Sequence, residues 1–272
     1  MRTPAEDAQV ALLLEAGTQK PGNVGPMRDF DDTTFHHFLA GAVGARRGFD
    51  AVENGEDGTD IGVGDAFLRS VRGCSTHEGG NTQFGALLLL APLVVASARG
   101  TVGDVEDVVE ETTPEDAVRF YEAFDHVDVY VGDVDDDYDY DVGDDEARER
   151  VAEDGVTLYD VMEDSASRDG VAREWTSGFE RTFHAASRME TRRGGTREAV
   201  RATYIDLLCE EPDSLVAEKH GKETAREVTR MARELPPDEL DALLADEGIN
   251  PGTTADIVAG AVFVALRRGW SV

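Results

Sequence analysis

Apolar residues recur every three to four positions through most of this chain, the spacing of helices that bury one face. Val10, Leu13 and Leu14 share such a face. They follow Thr3-Pro4-Ala5-Glu6, a capping box with proline at the first helical position, and Gly17 marks the stop. A second helix is predicted from Asp31-Asp32 through Phe35, Phe38, Leu39 and Val43 to about Gly48, followed by a polar, glycine-bearing loop over 50–62. A short helix then carries Phe67, Leu68 and Val71 to Gly73. The turn Gly79–Asn81 opens the longest apolar run, Ala86 to Ala98, which is interrupted by Pro92. That run is too short to span a bilayer and reads as a helix buried in a protein core.

Thr113-Pro114-Glu115-Asp116 repeats the capping-box pattern and starts a helix through Phe124, after which Val127–Val131 alternates weakly, as one short strand would. Helices are predicted again over 157–168, 171–188, 195–211, 214–234, 237–246 and 253–268, punctuated by Pro212, Pro236 and Pro251. No alternating series could build a sheet, no internal repeat is evident, and no linker divides the helical segments. The pattern predicts an all-α fold: a single multi-helix globular domain over 1–272 with a central pair of buried helices.

Charge changes that picture only at the surface. Acidic residues number 57 against 26 basic ones, for a net charge of −31, and the only lysines are Lys20, Lys219 and Lys222. Such a charge repels nucleic-acid phosphates and anionic membranes, which excludes both as general partners. Acid-rich, lysine-poor surfaces suit proteins kept soluble in multimolar salt, where the Debye length is roughly 3 Å or less. A disordered acidic chain is excluded because 40% of the residues are hydrophobic and periodically placed. Cys74 and Cys209 stand far apart without a CxxC motif, which fits a reducing cytoplasm, and the start MRTPAEDAQV has no secretion signal. The stretch 132–146 reads as an acidic surface loop. Counted from Asp135, its carboxylates match several positions of a calcium-binding EF-hand loop, but Tyr140 stands where that loop needs glycine.

Three glycine-containing segments carry the candidate chemistry. Glu15 to Asn23 places Lys20 beside Pro21-Gly22 just past a helix end. Ser75 to Gly85 places Gly79, Gly80, Asn81 and Thr82 at the start of the apolar helix, and Asn250-Pro251-Gly252-Thr253-Thr254-Ala255-Asp256 opens the last one. Free backbone N–H groups and the positive end of the helix dipole make such starts anion sites. Each segment also has an ordinary use: Asn81 or Thr253 as a cap, Gly17 as a stop, Asp256 as a partner of the dipole. The three lysines lie in or beside turns, with Lys219 and Lys222 flanking His220-Gly221, and a compact ammonium suits phosphate. Of the histidines, His36 and His37 point apart on one helix, while His77 beside Glu78 has the makings of a proton shuttle or a metal ligand. No Ser-His-Asp motif, Walker loop or Rossmann fingerprint is present.

In this order the segments resemble the triphosphoribosyl-dephospho-CoA synthase family. The matching residues are Glu15…Lys20-Pro21-Gly22, Asn81-Thr82-x-x-Gly85, Leu207-Leu208…Pro212-Asp213-Ser214…Lys219-His220-Gly221 and Pro251-Gly252-Thr253-Thr254-Ala255-Asp256. The resemblance implies an all-α transferase that moves the triphosphoribosyl group of ATP to dephospho-CoA and releases adenine. Three departures point to an archaeal branch: Gln83-Phe84 stands where bacterial members carry His-Lys, a glycine-rich GARGE-like segment is missing, and Thr253-Thr254 replaces Gly-Ser.

Displacing adenine from the ribose carbon is glycosyl transfer through an oxocarbenium-like transition state. The triphosphate needs neutralising, the acceptor hydroxyl needs a base, and adenine needs a proton. The resemblance nominates Glu15, Asp213 and Asp256 for Mg²⁺, with Asp213 or Asp256 as the base. Lys20, Gly22, Asn81, Thr82, Gly85, Lys219, Gly252, Thr253 and Thr254 are nominated to hold the nucleotide. Two other functions share these residues: a Mg²⁺-dependent nucleotide phosphohydrolase, which would release phosphate, and a non-catalytic nucleotide-binding protein, which would release nothing.

Overall fold

The computed structural model describes residues 2–55, 60–130, 132, 140–144 and 146–272. Among them are fifteen α-helices and no sheet. In chain order they begin with α1 (Pro4–Ala16), α2 (Phe35–Asn54), α3 (Val63–Cys74), α4 (Phe84–Arg99), α5 (Val105–Glu110) and α6 (Pro114–Ala123). A 3₁₀ turn, Phe124–His126, extends α6. Next come α7 (Ala147–Asp154), α8 (Leu158–Ser165), α9 (Gly170–Thr176), α10 (Glu180–Thr191) and α11 (Thr196–Glu210). The chain ends with α12 (Ser214–His220), α13 (Lys222–Glu234), α14 (Pro237–Asp246) and α15 (Gly252–Arg267).

The central pair is α4 and α15, apolar on all sides and packed against each other, with α1, α10 and α11 around α15. Their N-terminal turns meet where Gly85 faces Asp256, and further along Leu93 faces Gly260. Pro92 does not end α4. A proline inside a helix leaves the carbonyl four residues back without its donor. Here that carbonyl is Leu88 O, and the buried indole N–H of Trp175 on α9 donates to it at 3.2 Å. One tertiary hydrogen bond thus lets the core helix pass through its proline.

Local pattern misplaced several boundaries. The second helix starts at Phe35 rather than at Asp31-Asp32, because Thr34 is its cap. The predicted 171–188 helix is two, divided at Ser177–Phe179 where Gly178 and Phe179 take positive φ. The predicted 214–234 helix is also two, broken at Gly221 with φ of 90°. Residues 127–130 form no strand, since among the described residues there is no second strand to complete the backbone hydrogen bonds. Asp135 and most of the acidic stretch lie outside the described residues; Asp144 and Glu146 form a turn ahead of α7.

Candidate functional site

A cleft of about 620 Å³ opens where the starts of α4, α9 and α15 meet α12 and the end of α6. Asn81, Thr82 and Gly85 line it from α4 and the turn before it; Gly252, Thr253 and Asp256 line it from α15, and Lys219 from α12. The second and third glycine segments therefore converge on one site. The close approach depends on Gly85, because a Cβ there would collide with the Asp256 carboxylate.

The helix starts are not open to an anion in the way their sequences suggest. Asp213, 3% exposed, accepts from the N–H of Val216 at 3.1 Å, and from both the N–H and the hydroxyl of Thr254 at 2.7 Å. One carboxylate thereby caps α12 and α15 together. Asp169 caps α9 through the N–H of Ala172 at 2.7 Å. The Asp256 carboxylate is seated against Gly85 in the first turn of α4, where the nearby N–H of Ala86 favours its charged form. Ser214 completes the junction: its hydroxyl accepts from Gly170 N–H at 2.9 Å and shares a hydrogen bond with the Thr253 hydroxyl at 2.9 Å. Aspartates, rather than a ligand, already meet the dipoles of these helices.

Burial raises the proton affinity of these carboxylates, and crowding adds to it at Asp256. Asp256 is held well above the usual range, by burial first and then by the negative charges of Glu15, Asp213 and Asp169. Burial also pushes Asp213 and Asp169 up, against the hydrogen bonds that favour their charged forms. Asp256 and Asp169 face the cleft, whereas Asp213 does not.

The first glycine segment lies behind the cleft. Lys20 is fully buried, and its ammonium group meets three acceptors: Glu15 Oε1 at 2.8 Å, Glu15 O at 2.7 Å and Thr18 O at 3.1 Å. An ammonium has three N–H donors, so none is left over for a phosphate. The Gly22 N–H is given to Asp241 at 2.9 Å. Tyr204 donates to Pro21 O at 2.8 Å, and Asn23 donates to Asn250 at 2.7 Å. The segment thus braces the turn that opens α15. Glu15, Lys20, Gly22, Asp213 and Thr254 all lie outside the lining of the cleft.

Two features of the site escape the sequence motifs. Arg168 and Asp169 enter the cleft from the start of α9, and an Asp just before a predicted helix was the only signal for them. An aromatic wall of Phe84, Phe120 and Phe124 forms one side. His37 and His77 stack with ring centroids 5.0 Å apart, beside a smaller pocket of about 190 Å³ rather than in the main cleft. Burial, and then His37, pushes His77 below its ordinary value.

Among the described residues no group of three acidic, cysteine or histidine side chains is arranged to hold a metal, and no helix is long and apolar enough to cross a membrane. The family model for CitG, ATP:dephospho-CoA triphosphoribosyl transferase, matches residues 1–272. A crystal structure from Archaeoglobus fulgidus, assigned to triphosphoribosyl-dephospho-CoA synthase, is 30% identical and superposes with a TM-score of 0.72, covering 88% of this chain and 100% of that one. A comparison with curated proteins returns no match. The chain belongs to the CitG family of ATP:dephospho-CoA triphosphoribosyl transferases, pentosyltransferases that move the triphosphoribosyl group of ATP to dephospho-CoA.

Proposed function

We propose that the cleft between α4, α9, α12 and α15 is where ATP meets its acceptor, with Asp256 as the general base. The observation that carries this reading is the meeting of Gly85 and Asp256 at the cleft wall, with Lys219 and Arg168 lining the same space. A volume near 620 Å³ suits a nucleotide-sized ligand, within the roughly 300–1,000 Å³ usual for small-molecule pockets.

The reaction breaks the bond from the ribose carbon to adenine and forms one from that carbon to the acceptor oxygen. Asp256 takes the hydroxyl proton as the new bond forms, adenine takes up one proton from solvent as it leaves, and Asp256 returns its proton to solvent, so that one proton is lost by the acceptor and one is gained by adenine. A carboxylate with raised proton affinity is a better base than an ordinary aspartate. Lys219 and Arg168 attract the triphosphate, while Asn81, Thr82 and Thr253 offer hydrogen bonds. Asp213, Thr254, Glu15, Lys20 and Gly22 act from behind, fixing the angles at which α12 and α15 reach the cleft.

The lining is acidic: Asp32, Asp128, Asp141, Asp169, Glu218 and Asp256 face Arg168, Lys219 and His220. A polyanion entering it needs a counter-cation. Mg²⁺ bound with one or two carboxylates and substrate phosphates meets that need, and carboxylates of the lining would hold it, since Glu15 and Asp213 lie outside the lining and are engaged by other partners. The ion would supply charge neutralisation of the triphosphate. The acidic surface and absence of lysine-rich faces support a salt-rich cytoplasm as the working environment.

Incubation with ATP, Mg²⁺ and dephospho-CoA in molar KCl, followed by mass spectrometry of the small molecules, tests the reading. Adenine and a triphosphoribosylated acceptor are expected. Inorganic phosphate as the sole product, or ATP recovered unchanged, overturns it.

A further inference from the structure

We propose that the aromatic wall of the cleft holds a purine ring, with Phe124 supplying the face on which it stacks. The inference rests on the cleft being the nucleotide site and adds which part of the substrate lies where. Phe84 stands in the first turn of α4, Phe120 on α6, and Phe124 in the 3₁₀ turn that follows it. Ring centroids lie 5.0 Å apart for Phe84 and Phe124, 5.2 Å for Phe120 and Phe124, and 6.3 Å for Phe84 and Phe120. Fully buried Phe67, 5.0 Å from Phe84, closes the back of the group. Mutual packing fixes the ring planes before any ligand arrives. Phe84 and Phe120 are nearly buried, but Phe124 is half-buried, so part of its ring faces the cleft.

The wall is an uncharged patch in a carboxylate-rich cleft, with Asp128 nearby in the lining. Carboxylates repel a triphosphate, but they attract the exocyclic amine of a neutral adenine. Asn81 uses its Oδ1 to accept from Phe84 N–H at 3.2 Å, which leaves its NH₂ to donate to a ring nitrogen. The position also makes chemical sense. Phe84 adjoins Gly85, against which the Asp256 carboxylate is seated. A base stacked on this wall places its glycosidic carbon toward the group proposed to take the acceptor's proton. An aliphatic occupant, such as the extended arm of the acceptor, would need apolar area but no flat face.

ATP and dephospho-CoA both carry adenine, and the test separates them. Kd values for ATP–Mg²⁺, dephospho-CoA and inorganic tripolyphosphate–Mg²⁺ are measured by titration calorimetry in molar KCl for the wild type, Phe124→Leu and Phe124→Tyr. Stacking on an aromatic face is worth roughly 5- to 150-fold in affinity. Phe124→Leu, which keeps apolar bulk, is expected to weaken one of the two nucleotides by that factor, while Phe124→Tyr stays within about threefold. Tripolyphosphate, which has no ring, should bind all three proteins alike. A loss confined to ATP assigns the wall to the leaving adenine, and a loss confined to dephospho-CoA assigns it to the acceptor's base.

The wall is refuted if Phe124→Leu binds both nucleotides as the wild type does, or if it loses both together with tripolyphosphate. Binding is read without turnover. A wild type that binds ATP but releases no adenine therefore counts against the transferase reading alone, and an active enzyme indifferent to Phe124→Leu counts against the wall alone.

Discussion

The glycine turns at 17–23 and 250–256 sit side by side, joined by the hydrogen bond from Asn23 to Asn250, yet their polar groups have opposite fates. In the first, the lysine, the glycine N–H and the carbonyl of Pro21 are each taken up by protein, through Glu15, Asp241 and Tyr204. In the second, Gly252, Thr253 and Asp256 reach the cleft, although the adjacent Thr254 is capped by buried Asp213. Similar local composition thus builds a brace in one place and a reactive surface in the other. What separates them is position: the second turn opens onto the cleft, and none of residues 17–23 lines it. A buried polar group without a partner is costly, so the Lys20 ammonium, the Gly22 N–H and the Pro21 carbonyl are tied to protein, whereas groups that face an open cleft can be solvated until a ligand arrives.

Four substitutions probe that division, beginning with the largest expected effect. Asp256→Asn removes the proposed base and should lower kcat by about 10²- to 10⁴-fold with helical content unchanged in circular dichroism. The same variant should melt higher than the wild type. A carboxyl raised in the folded chain contributes stability that is fully present below its unfolded value and is lost as pH rises through its folded value. The gain from Asn should therefore grow toward alkaline pH and vanish below about pH 4, where both forms are neutral. In the wild type, the acid limb of kcat/KM should lie above the ordinary aspartate range, because only the ionised carboxylate accepts a proton. Undiminished turnover in Asp256→Asn would remove this residue from the chemistry.

Lys20→Met tests the brace. It strands the buried Glu15 carboxylate and should cost about 3–5 kcal/mol in denaturant unfolding, much of it recovered by adding Glu15→Leu. If Lys20 instead held phosphate, the double variant would regain stability but not its KM for ATP. Asp213→Ala uncaps α12 and α15 at once, and a loss of about 1–3 kcal/mol is expected. Its effect on turnover should be smaller than that of Asp256→Asn, and an equal loss of kcat would place Asp213 in the reaction itself. Lys219→Ala touches only the exposed rim. Its melting temperature should not move, and KM for ATP should rise about two- to fivefold, less in concentrated KCl. A KM independent of this lysine at low salt would take it out of the site.

How far the sequence could be read follows from the range of the interactions involved. Capping boxes at Thr3 and Thr113 act within four residues, and both helices start where those residues predict. The run from Ala86 to Ala98 has no polar face to leave in water, so burial of α4 was legible too. Its passage through Pro92 was not, because the compensating donor is Trp175, far along the chain. Gly221 and the Gly178–Phe179 turn divide segments whose apolar period alone reads as continuous. Within the site, Asn81, Gly85, Thr253 and Asp256 stood out as residues marking helix starts, and they line the cleft. Lys20 stood out for the same reason, but its three acceptors are visible only once the turn is folded. Phe120 and Phe124 read as one apolar face of α6, and nothing local distinguishes a ring packed in a core from one lining a cleft.

By itself the sequence determined the all-α class, the two core helices, the acidic surface and the family, because periodicity, caps and motif order are local or additive properties. Tertiary structure alone decided which aspartates cap helices and which face the cleft, and which lysine is sealed inside. It also decided that three phenylalanines from α4, α6 and the turn after it form one wall. Those outcomes depend on partners contributed by distant segments, and on the electrostatic cost of gathering Glu15, Asp169, Asp213 and Asp256 in one place.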